Sequence, residues 1–276
     1  MTDQYCVFGN PIAQSRSPQI HKDFASQTGE DINYSAQLVE LGGFDAAASE
    51  FFAGGGRGLN ITAPFKEDAY RFASRLSPGA RIAGAVNTLA LEPSGEVVGH
   101  TTDGAGLVAD LLRQGQSLKN QNILLLGAGG AVRGVLAPLL EMKPTNLIIA
   151  NRTYEKALQL AKGFRGYGPI NACPLIELGG QKFDLVINGT SASLSGSAID
   201  LPTEILADSC FCYDMVYSAA PTAFMDWAAA SGADTSDGLG MLVGQAAESF
   251  RIWRGVSVDI VKVIATLRAE MLNGQS

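Results

Sequence analysis

Hydrophobic and polar residues alternate along the chain in two periods, and these periods predict an α/β fold. Short aliphatic or alternating runs predict strands at residues 5–9, 32–39, 59–63, 83–91, 97–99, 123–126, 147–150, 183–187 and 211–216. Apolar residues three and four apart predict helices at 18–28, 44–53, 67–74, 105–114, 132–140, 154–163 and over most of the chain from 245 to about 273. Because strands and helices mostly take turns, we expect parallel sheets covered by helices, with one hairpin at the 93–95 turn.

The stretch from 122 to 153 carries the most informative part of this pattern. An aliphatic run at 123–126 leads into a glycine-rich turn, then a helix, then a second aliphatic run at 147–150. Glycines in such a turn let the backbone approach a diphosphate, and the N-terminus of the next helix favours negative charge. The sixth position of the G-x-G-x-x-G/A fingerprint holds Val132, so a purely structural turn is the alternative. The expected dinucleotide contacts are Gly127, Ala128, Gly129, Gly130 and Ala131.

The end of the second strand of this unit indicates which dinucleotide is bound. An NAD site places a carboxylate there to hold the ribose hydroxyl, whereas this chain has Asn151, Arg152 and Thr153, with Lys156 one turn later. A guanidinium pairs with phosphate through two parallel hydrogen bonds. The sequence therefore predicts NADP, the alternative being that Arg152 is a solvated residue at a helix start.

Composition and charge exclude several classes of protein. The chain has 276 residues, 46% of them apolar, and a net charge of −7, so two packed domains fit and a broad basic surface for nucleic acid or an anionic membrane does not. Four cysteines without a C-x-x-C pair and only two histidines predict no metal site. We see neither a signal peptide nor an apolar run of membrane length, and we expect a reducing cytoplasm.

Several polar residues of the first half are candidates for chemistry, each with a plainer alternative. Ser15 and Ser17 could together hold a small carboxylate, although Ser17 could instead cap the helix that starts at Pro18. Lys66 stands at a helix start, where a positive charge opposes the helix dipole, and could also be a solvated side chain. Asp103 precedes a helix and could be catalytic or merely a cap. Further along, a polar turn at 188–191 follows a strand, at an edge where open α/β sheets bind ligands.

Taken together, eight segments resemble the shikimate/quinate dehydrogenase family over essentially the whole chain. They are VFGNPIAQSRSPQIH, NITAPFKEDA, AGAVNT, the TDG of HTTDG, LLLGAGGAVRGV, NRT, YDMVY and DGLGMLVGQA. The resemblance implies two α/β domains flanking a cleft. An N-terminal substrate-binding domain would span 1–104 and be completed by C-terminal helices at 239–276. A doubly wound Rossmann domain for NADP would span 105–238.

The resemblance also implies the reaction and its residues. The reaction is the reversible, NADPH-dependent reduction of 3-dehydroshikimate to shikimate, a step of aromatic amino acid biosynthesis. Lys66 would carry the proton. Asp103 would orient the Lys66 side chain and hydrogen-bond a ring hydroxyl. The substrate carboxylate is assigned to Ser15, Ser17 and Tyr217, and the ring hydroxyls to Asn60, Thr62, Lys66, Asn87, Asp103 and Gln245. Met215 and Gly238 join the glycine turn and residues Asn151 to Lys156 as cofactor contacts. We expect small-molecule partners and a monomer or homodimer.

Three departures from the family pattern and two alternatives accompany this interpretation. Thr101 stands where Asn is usual, Lys156 where Arg is common, and Ala63 where Val is usual. A lysine cannot form the bidentate hydrogen bonds of arginine, so Lys156 puts the strength of 2′-phosphate binding in doubt. Quinate is the alternative substrate. A catalytically silent NADP-binding regulator is the alternative class, although it would not need Lys66, Asp103 and Gln245.

Overall fold

The computed structural model describes residues 2–190, 192–195 and 200–274, and it is an α/β protein as the periodicity predicts. The strands are β1 Asp3–Gly9, β2 Ile32–Leu38, β3 Gly56–Ile61, β4 Arg75–Leu76, β5 Thr88–Leu91, β6 Val97–His100, β7 Asn122–Leu126, β8 Asn146–Asn151, β9 Ile170–Pro174, β10 Phe183–Asn188, β11 Leu206–Asp214 and β12 Asp234–Ser236. The helices are α1 Ser17–Thr28, α2 Phe44–Ala53, α3 Lys66–Phe72, α4 Pro78–Ala83, α5 Asp103–Arg113, α6 Gly130–Glu141, α7 Tyr154–Phe164, α8 Ala223–Ala230, α9 Leu239–Arg254 and α10 Ile260–Asn273.

The described chain divides into two compact units. The first contains residues 1–106 and 243–263, and the second contains 107–242 and 264–276. Helices α5 and α9 each cross from one unit to the other. The domain limits expected from the sequence, 1–104 with 239–276 and 105–238, stay a prediction.

The first unit is built on a mixed sheet in the order β2-β1-β3-β5-β6-β4. Strand β1 pairs in parallel with β2 and β3, whereas β5 is antiparallel to both β3 and β6. The β5–β6 pair is the predicted hairpin. Phe8, Phe44 and Phe65 are buried in the core of this unit, where the Phe44 ring contacts the other two. The parallel half of this sheet therefore brings the carboxyl ends of β1 and β3 to one edge.

The second unit is built on an all-parallel sheet in the order β12-β11-β10-β7-β8-β9. The chain moves from β7 outward to β8 and β9, then returns to the other side of β7 for β10 to β12. This reversal opens a crevice beyond the carboxyl ends of β7 and β10, where doubly wound sheets bind ligands. The aliphatic strands of the unit are buried on both faces, as the uninterrupted run at Ile123, Leu124, Leu125 and Leu126 shows.

The end of α9 closes the first unit by tying itself to the beginning of the chain. The Trp253 indole donates to the Leu89 carbonyl at 3.0 Å, and its ring lies 4.7 Å from that of Tyr5. Gly58 leaves the space for this indole, because a Cβ there would lie 2.3 Å from Trp253 Nε1. Arg254 then pairs with Asp3 and Glu30, residues of β1 and of the turn before β2. Strand β1 is thus held by side chains from near the end of the sequence.

The structure corrects one expectation and adds elements that the periodicity missed. Helix α1 begins at Ser17, and the hydroxyl of Ser15 accepts from the Ser17 backbone N–H at 3.3 Å, so the capping role expected of Ser17 is wrong. Strands β4, β9 and β12 and helices α4 and α8 were not predicted. The three strands are short and lie at sheet edges, where neither alternation nor an aliphatic run is required. Ser191, the last residue of the expected polar turn, lies outside the described residues.

Among the helices described, none is both long and apolar enough to cross a lipid bilayer.

Candidate functional site

In the first unit, Lys66 and Asp103 form an ion pair at the starts of two helices. Lys66 is the first residue of α3, which follows β3, and Asp103 is the first residue of α5, which follows β6. The Lys66 ammonium contacts Asp103 Oδ2, and the two side chains are 25% and 12% exposed. Both charges are largely withdrawn from water while one edge of the lysine stays accessible. A lysine–carboxylate pair in this setting can donate a proton to a ligand hydroxyl group or accept one from it.

Asn87 fixes the orientation of this pair. Its amide nitrogen donates to Asp103 Oδ1 at 2.9 Å and to Thr102 Oγ1 at 2.9 Å. Its amide oxygen accepts from the Thr102 backbone N–H at 2.9 Å. Gln245 Oε1 lies 3.3 Å from the Asn87 amide nitrogen and 3.4 Å from Thr102 Oγ1. We call these five residues, Lys66, Asn87, Thr102, Asp103 and Gln245, the Asn87 cluster.

Asn60 lies next to the Asn87 cluster and is held by the protein on both sides of its amide. Its nitrogen donates to Ser249 Oγ at 3.0 Å and to Thr88 Oγ1 at 3.2 Å, and its oxygen accepts from the Tyr34 hydroxyl at 2.7 Å. Asn60 is 6% exposed. The amide therefore has a fixed direction.

The Tyr34 side chain that donates to Asn60 belongs to a buried group of aromatic rings. The His21 ring lies parallel to that of Tyr34 with centroids 4.2 Å apart, and it also contacts Phe24, Phe250 and Trp253. Burial raises the pKa of Tyr34 well above its usual range, although a hydrogen bond with Ser17 opposes this. Burial also lowers the pKa of His21 to about 3. The phenol therefore stays a donor and the imidazole stays neutral.

The remaining candidates of the first unit are Ser15 in the loop after β1, Ser17 at the first position of α1, and Thr62 directly after β3. Ser15 is half-buried, and Ser17 is 8% exposed. Thr62 follows β3 directly, and its backbone N–H donates to the Phe8 carbonyl at 2.9 Å. Its methyl group fills the space beside Gly9, where a Cβ would lie 2.4 Å away. Ser17 is linked to Asn60 through Tyr34, which connects the serines to the amides.

In the second unit, a cleft of about 1160 Å³ lies over the carboxyl ends of the strands. We call it the glycine-turn cleft. It brings together seven of the predicted cofactor residues, namely Gly127, Ala128, Gly129, Gly130, Ala131, Asn151 and Arg152. Thr153 and Lys156 are exposed in the first turn of α7 and its cap, outside this lining.

Met215, Tyr217 and Gly238 form a second group in this unit. The Met215 backbone N–H donates to the Asn188 carbonyl at 2.9 Å, which joins the ends of β10 and β11. Gly238 packs against Met215 so closely that a Cβ would lie 2.3 Å from its carbonyl oxygen. Tyr217 is half-buried two residues further along.

The glycine-turn cleft suits a dinucleotide diphosphate. Helix α6 starts from Gly129 with no side-chain cap, so its first backbone N–H groups have no side-chain acceptor. Gly127 has φ +106°, and a Cβ there would lie 3.1 Å from the Gly189 carbonyl oxygen. A Cβ at Gly129 or Gly130 would meet only open space. The turn thus presents bare backbone, and the residues fit the phosphate-binding role predicted for them.

Eleven of the eighteen lining residues lie outside the predicted cofactor contacts, and only two of these eleven, Gly189 and Thr190, belong to the 188–191 turn that the sequence indicated as a ligand-binding edge. The additional residues are Leu126, Ala150, Leu175, Ile176, Gly179, Gly189, Thr190, Ala192, Asp200, Pro202 and Glu204. Most follow the carboxyl ends of β7 to β10. Ile176 is 93% exposed, an unusual state for a large aliphatic side chain. Recognising β9 as a strand would have pointed to Leu175 and Ile176, since Pro174 pairs with Asn151 and these residues come next.

A glycine-turn cleft in one unit and a lysine–carboxylate pair among amides in the other define a nicotinamide-dependent oxidoreductase. Family models match in three parts, the shikimate dehydrogenase substrate binding domain at 7–89, shikimate / quinate 5-dehydrogenase at 110–196, and the shikimate 5′-dehydrogenase C-terminal domain at 238–268. The chain belongs to the shikimate dehydrogenase family.

Individual relatives match over nearly their full length. The shikimate dehydrogenase (NADP(+)) of Dechloromonas aromatica is 54% identical, with 99% of this chain and 100% of that protein covered. That of Cellvibrio japonicus is 52% identical, with 98% and 99% covered. The shikimate 5-dehydrogenase of Thermus thermophilus, solved with NADP(H) and shikimate, has a TM-score of 0.87 and 33% identity, with 97% of this chain and 99% of that one covered.

Proposed function

We propose that this chain catalyses the reversible NADPH-dependent reduction of 3-dehydroshikimate to shikimate. The observation that carries the proposal is the Lys66–Asp103 pair, oriented by Asn87, in a chain that also has the glycine-turn cleft. Near-full-length identity to NADP-dependent shikimate dehydrogenases supports it. The product would feed aromatic amino acid biosynthesis.

Lys66 is the proton carrier in this proposal. NADP held by the glycine-turn cleft would supply hydride transfer at the carbon that bears the reacting oxygen. Lys66 donates a proton to that oxygen during reduction and accepts one during oxidation. Asp103, whose other oxygen is held by Asn87, orients the ammonium and accepts from a ring hydroxyl. The proton belongs to the pair, because the two groups are in direct contact.

The other polar residues would hold the substrate. The carboxylate is assigned to Ser15, Ser17 and Tyr217, which offer hydroxyl donors. Asn60, Thr62, Asn87 and Gln245 would contact the ring hydroxyls. Fixed amides favour this role, since they need no reordering when the ligand arrives.

On the cofactor side, the turn from Gly127 to Ala131 would hold the diphosphate, and Arg152 would pair with the 2′-phosphate. Lys156, exposed one turn later, would add a point charge, and Asn151 and Thr153 on either side of Arg152 would complete the contacts to this part of the cofactor. Met215 and Gly238 would complete the cofactor site. The cofactor is NADP, as in the relatives.

The test is a set of four initial rates with purified protein, combining NADP or NAD with shikimate or quinate. We expect the rate with NADP and shikimate to exceed the other three by tenfold or more. A faster rate with quinate would replace the proposed substrate. Absence of any rate, with NADP binding retained, would favour the silent regulator.

We further propose a cytoplasmic enzyme, monomeric or homodimeric, with neither nucleic acid nor membrane as a partner. The net charge of −7 supports the last point, because it opposes binding to polyanions. Light scattering during size exclusion measures the oligomeric state.

A further inference from the structure

We propose that Asp214 is a positioning residue for the nicotinamide half of the cofactor, acting through Ser193 and Met215. The inference rests on the proposed function, since it takes NADP as the ligand of the glycine-turn cleft. Asp214 is the last residue of β11 and is fully buried, with 0% exposure. Asp214 does not line the cleft itself. It acts on the cleft through the residues after β10 and after β11 that its carboxylate holds together.

Asp214 is a buried carboxylate held by hydroxyl and backbone donors. Its Oδ2 accepts from Ser193 Oγ at 2.6 Å and from Thr222 Oγ1 at 2.7 Å, and its Oδ1 accepts from the Val216 backbone N–H at 3.0 Å. Among the described residues it has no cationic partner within ion-pair distance. Burying a charge in this way is costly. The cost is offset only by donors that are held in place, so the carboxylate fixes whatever carries them.

One arm of this network reaches the glycine-turn cleft. Ser193 Oγ also accepts from the Asn188 amide nitrogen at 3.1 Å. The oxygen of the same amide accepts from the backbone N–H and the hydroxyl of Thr190, at 3.1 and 2.8 Å. Thr190 and Ala192 line the cleft. Asp214 is therefore linked through Ser193 to Asn188 and Thr190 at the end of β10.

A second arm fixes Met215. Met215 lies between Asp214 and Val216, and the Asp214 carboxylate accepts from the Val216 N–H. The Met215 N–H donates to the Asn188 carbonyl at 2.9 Å. A Cβ on Gly189 would lie 3.1 Å from Met215 Sδ, so the methionine side chain packs directly on the loop after β10. Residues 188–190 and Ser193 after β10 and residues 215–216 after β11 thus belong to one hydrogen-bonded network around the carboxylate.

The strand order places this hydrogen-bonded network beside the nicotinamide half of the cofactor. Arg152, just after the end of β8, would take the 2′-phosphate of the adenosine half. Strands β8 and β10 lie on opposite sides of β7, which carries the glycine turn. A dinucleotide with its diphosphate on that turn must extend its other half over the ends of β10 and β11. The network therefore orders the part of the cleft that receives the reacting ring.

The third arm provides a matched control. Thr222 donates to the same carboxylate oxygen as Ser193, but it leads away from the cleft, because its hydroxyl caps α8 by accepting from the Met225 N–H at 3.2 Å. Ser193→Ala and Thr222→Val each remove one donor from Asp214 Oδ2. Only the first cuts the connection to Thr190.

The experiment measures binding of NADPH and of adenosine 2′,5′-bisphosphate, which has only the adenosine half, by calorimetry on the full-length chain. Ser193→Ala should weaken NADPH binding roughly five- to twentyfold, the effect of one charge-assisted hydrogen bond, and leave the bisphosphate within about twofold. Thr222→Val should lower the melting temperature and leave both affinities within about twofold. Ser193→Thr, which keeps the hydroxyl, should restore NADPH binding. In turnover, Ser193→Ala should raise the KM for NADPH but not for 3-dehydroshikimate.

Two results would overturn the assignment. One is unchanged NADPH binding in Ser193→Ala, and the other is an equal loss for NADPH and the bisphosphate. A failure of the unmodified chain to bind either nucleotide would instead reject the proposed function.

Discussion

The Asn87 amide and Asp103 Oδ1 are hydrogen-bonded at 2.9 Å, on the carboxylate oxygen opposite to the one that contacts Lys66. Both oxygens of Asp103 are thus engaged, and the carboxylate cannot rotate without breaking one of the two contacts. The direction of the Lys66 ammonium is consequently set by the starts of α3 and α5 together with Asn87, the residue before β5. Preorganisation of this kind is what a proton-transfer group requires.

Lys66→Ala should lower turnover by about two to four orders of magnitude, the usual contribution of one general acid–base group, with substrate binding much less affected. Steady-state rates and equilibrium binding of shikimate measure the two effects separately. Lys22→Ala, which removes an exposed lysine of α1, is the charge-matched control. Turnover within a factor of about three of the unmodified chain would remove Lys66 from the mechanism.

Ser15→Ala should raise the KM for shikimate by about tenfold, the effect of one lost hydrogen bond to a carboxylate, with little change in the KM for NADP. The substitution also removes the acceptor for the Ser17 N–H. Ser94→Ala removes a hydroxyl that accepts from the N–H two residues later in the same manner, at 3.4 Å, in an exposed hairpin turn. If both variants changed the KM equally, the carboxylate role of Ser15 would be wrong.

Arg152→Ala should reduce kcat/KM with NADP by about tenfold or more and change kcat/KM with NAD much less, because only NADP carries the 2′-phosphate. Arg165→Ala, an exposed arginine just after α7, controls for the loss of net charge in the same unit. Rates with both nucleotides are compared for each variant. Equal losses with NADP and NAD would contradict the phosphate assignment.

His21 should make the first unit sensitive to acid. Burial lowers its pKa to about 3, whereas the unfolded chain takes up a proton near the usual imidazole pKa of about 6.5. Between these values the unfolded state binds more protons, so stability falls as the pH falls, by about 2 kcal/mol near pH 5 from this residue alone.

His21→Phe should remove this contribution to the pH dependence. Denaturant unfolding at neutral pH and near pH 5 measures it, and the quantity compared is the change between the two pH values rather than absolute stability. Identical pH dependence in the variant and the unmodified chain would show that His21 is not responsible.

The sequence predicted regular elements best where the pattern is uninterrupted. Helix α2 has the predicted bounds, and α6 begins and ends within two residues of the prediction. Strands β7 and β8 are each within one residue of the prediction, because buried parallel strands are plain aliphatic runs. Strand β12, Asp-Thr-Ser, has no such run and is exposed to half-buried; it is a strand because it pairs with β11, which the local sequence does not encode.

The candidate site was only partly accessible from residue patterns. Lys66, Asn87, Asp103 and Gln245 are separated along the chain, and local features left each with a plainer explanation until the family motifs joined them. The side chains that hold them were not found at all. Tyr34 and Ser249 look like ordinary strand and helix residues, and only the folded structure shows that their hydroxyls meet the Asn60 amide.

The bonds from Arg254 to Asp3 and Glu30 carry a consequence for the order in which the protein is made. The donor follows Asp3 by 251 positions, so the first strand leaves the ribosome long before the residue that fastens it. The intervening segment from 107 to 242 belongs to the other unit and is complete earlier. During synthesis strands β1 to β6 therefore emerge first, but the first unit gains its Arg254 contacts only with the end of α9, after every strand of the second unit has been made.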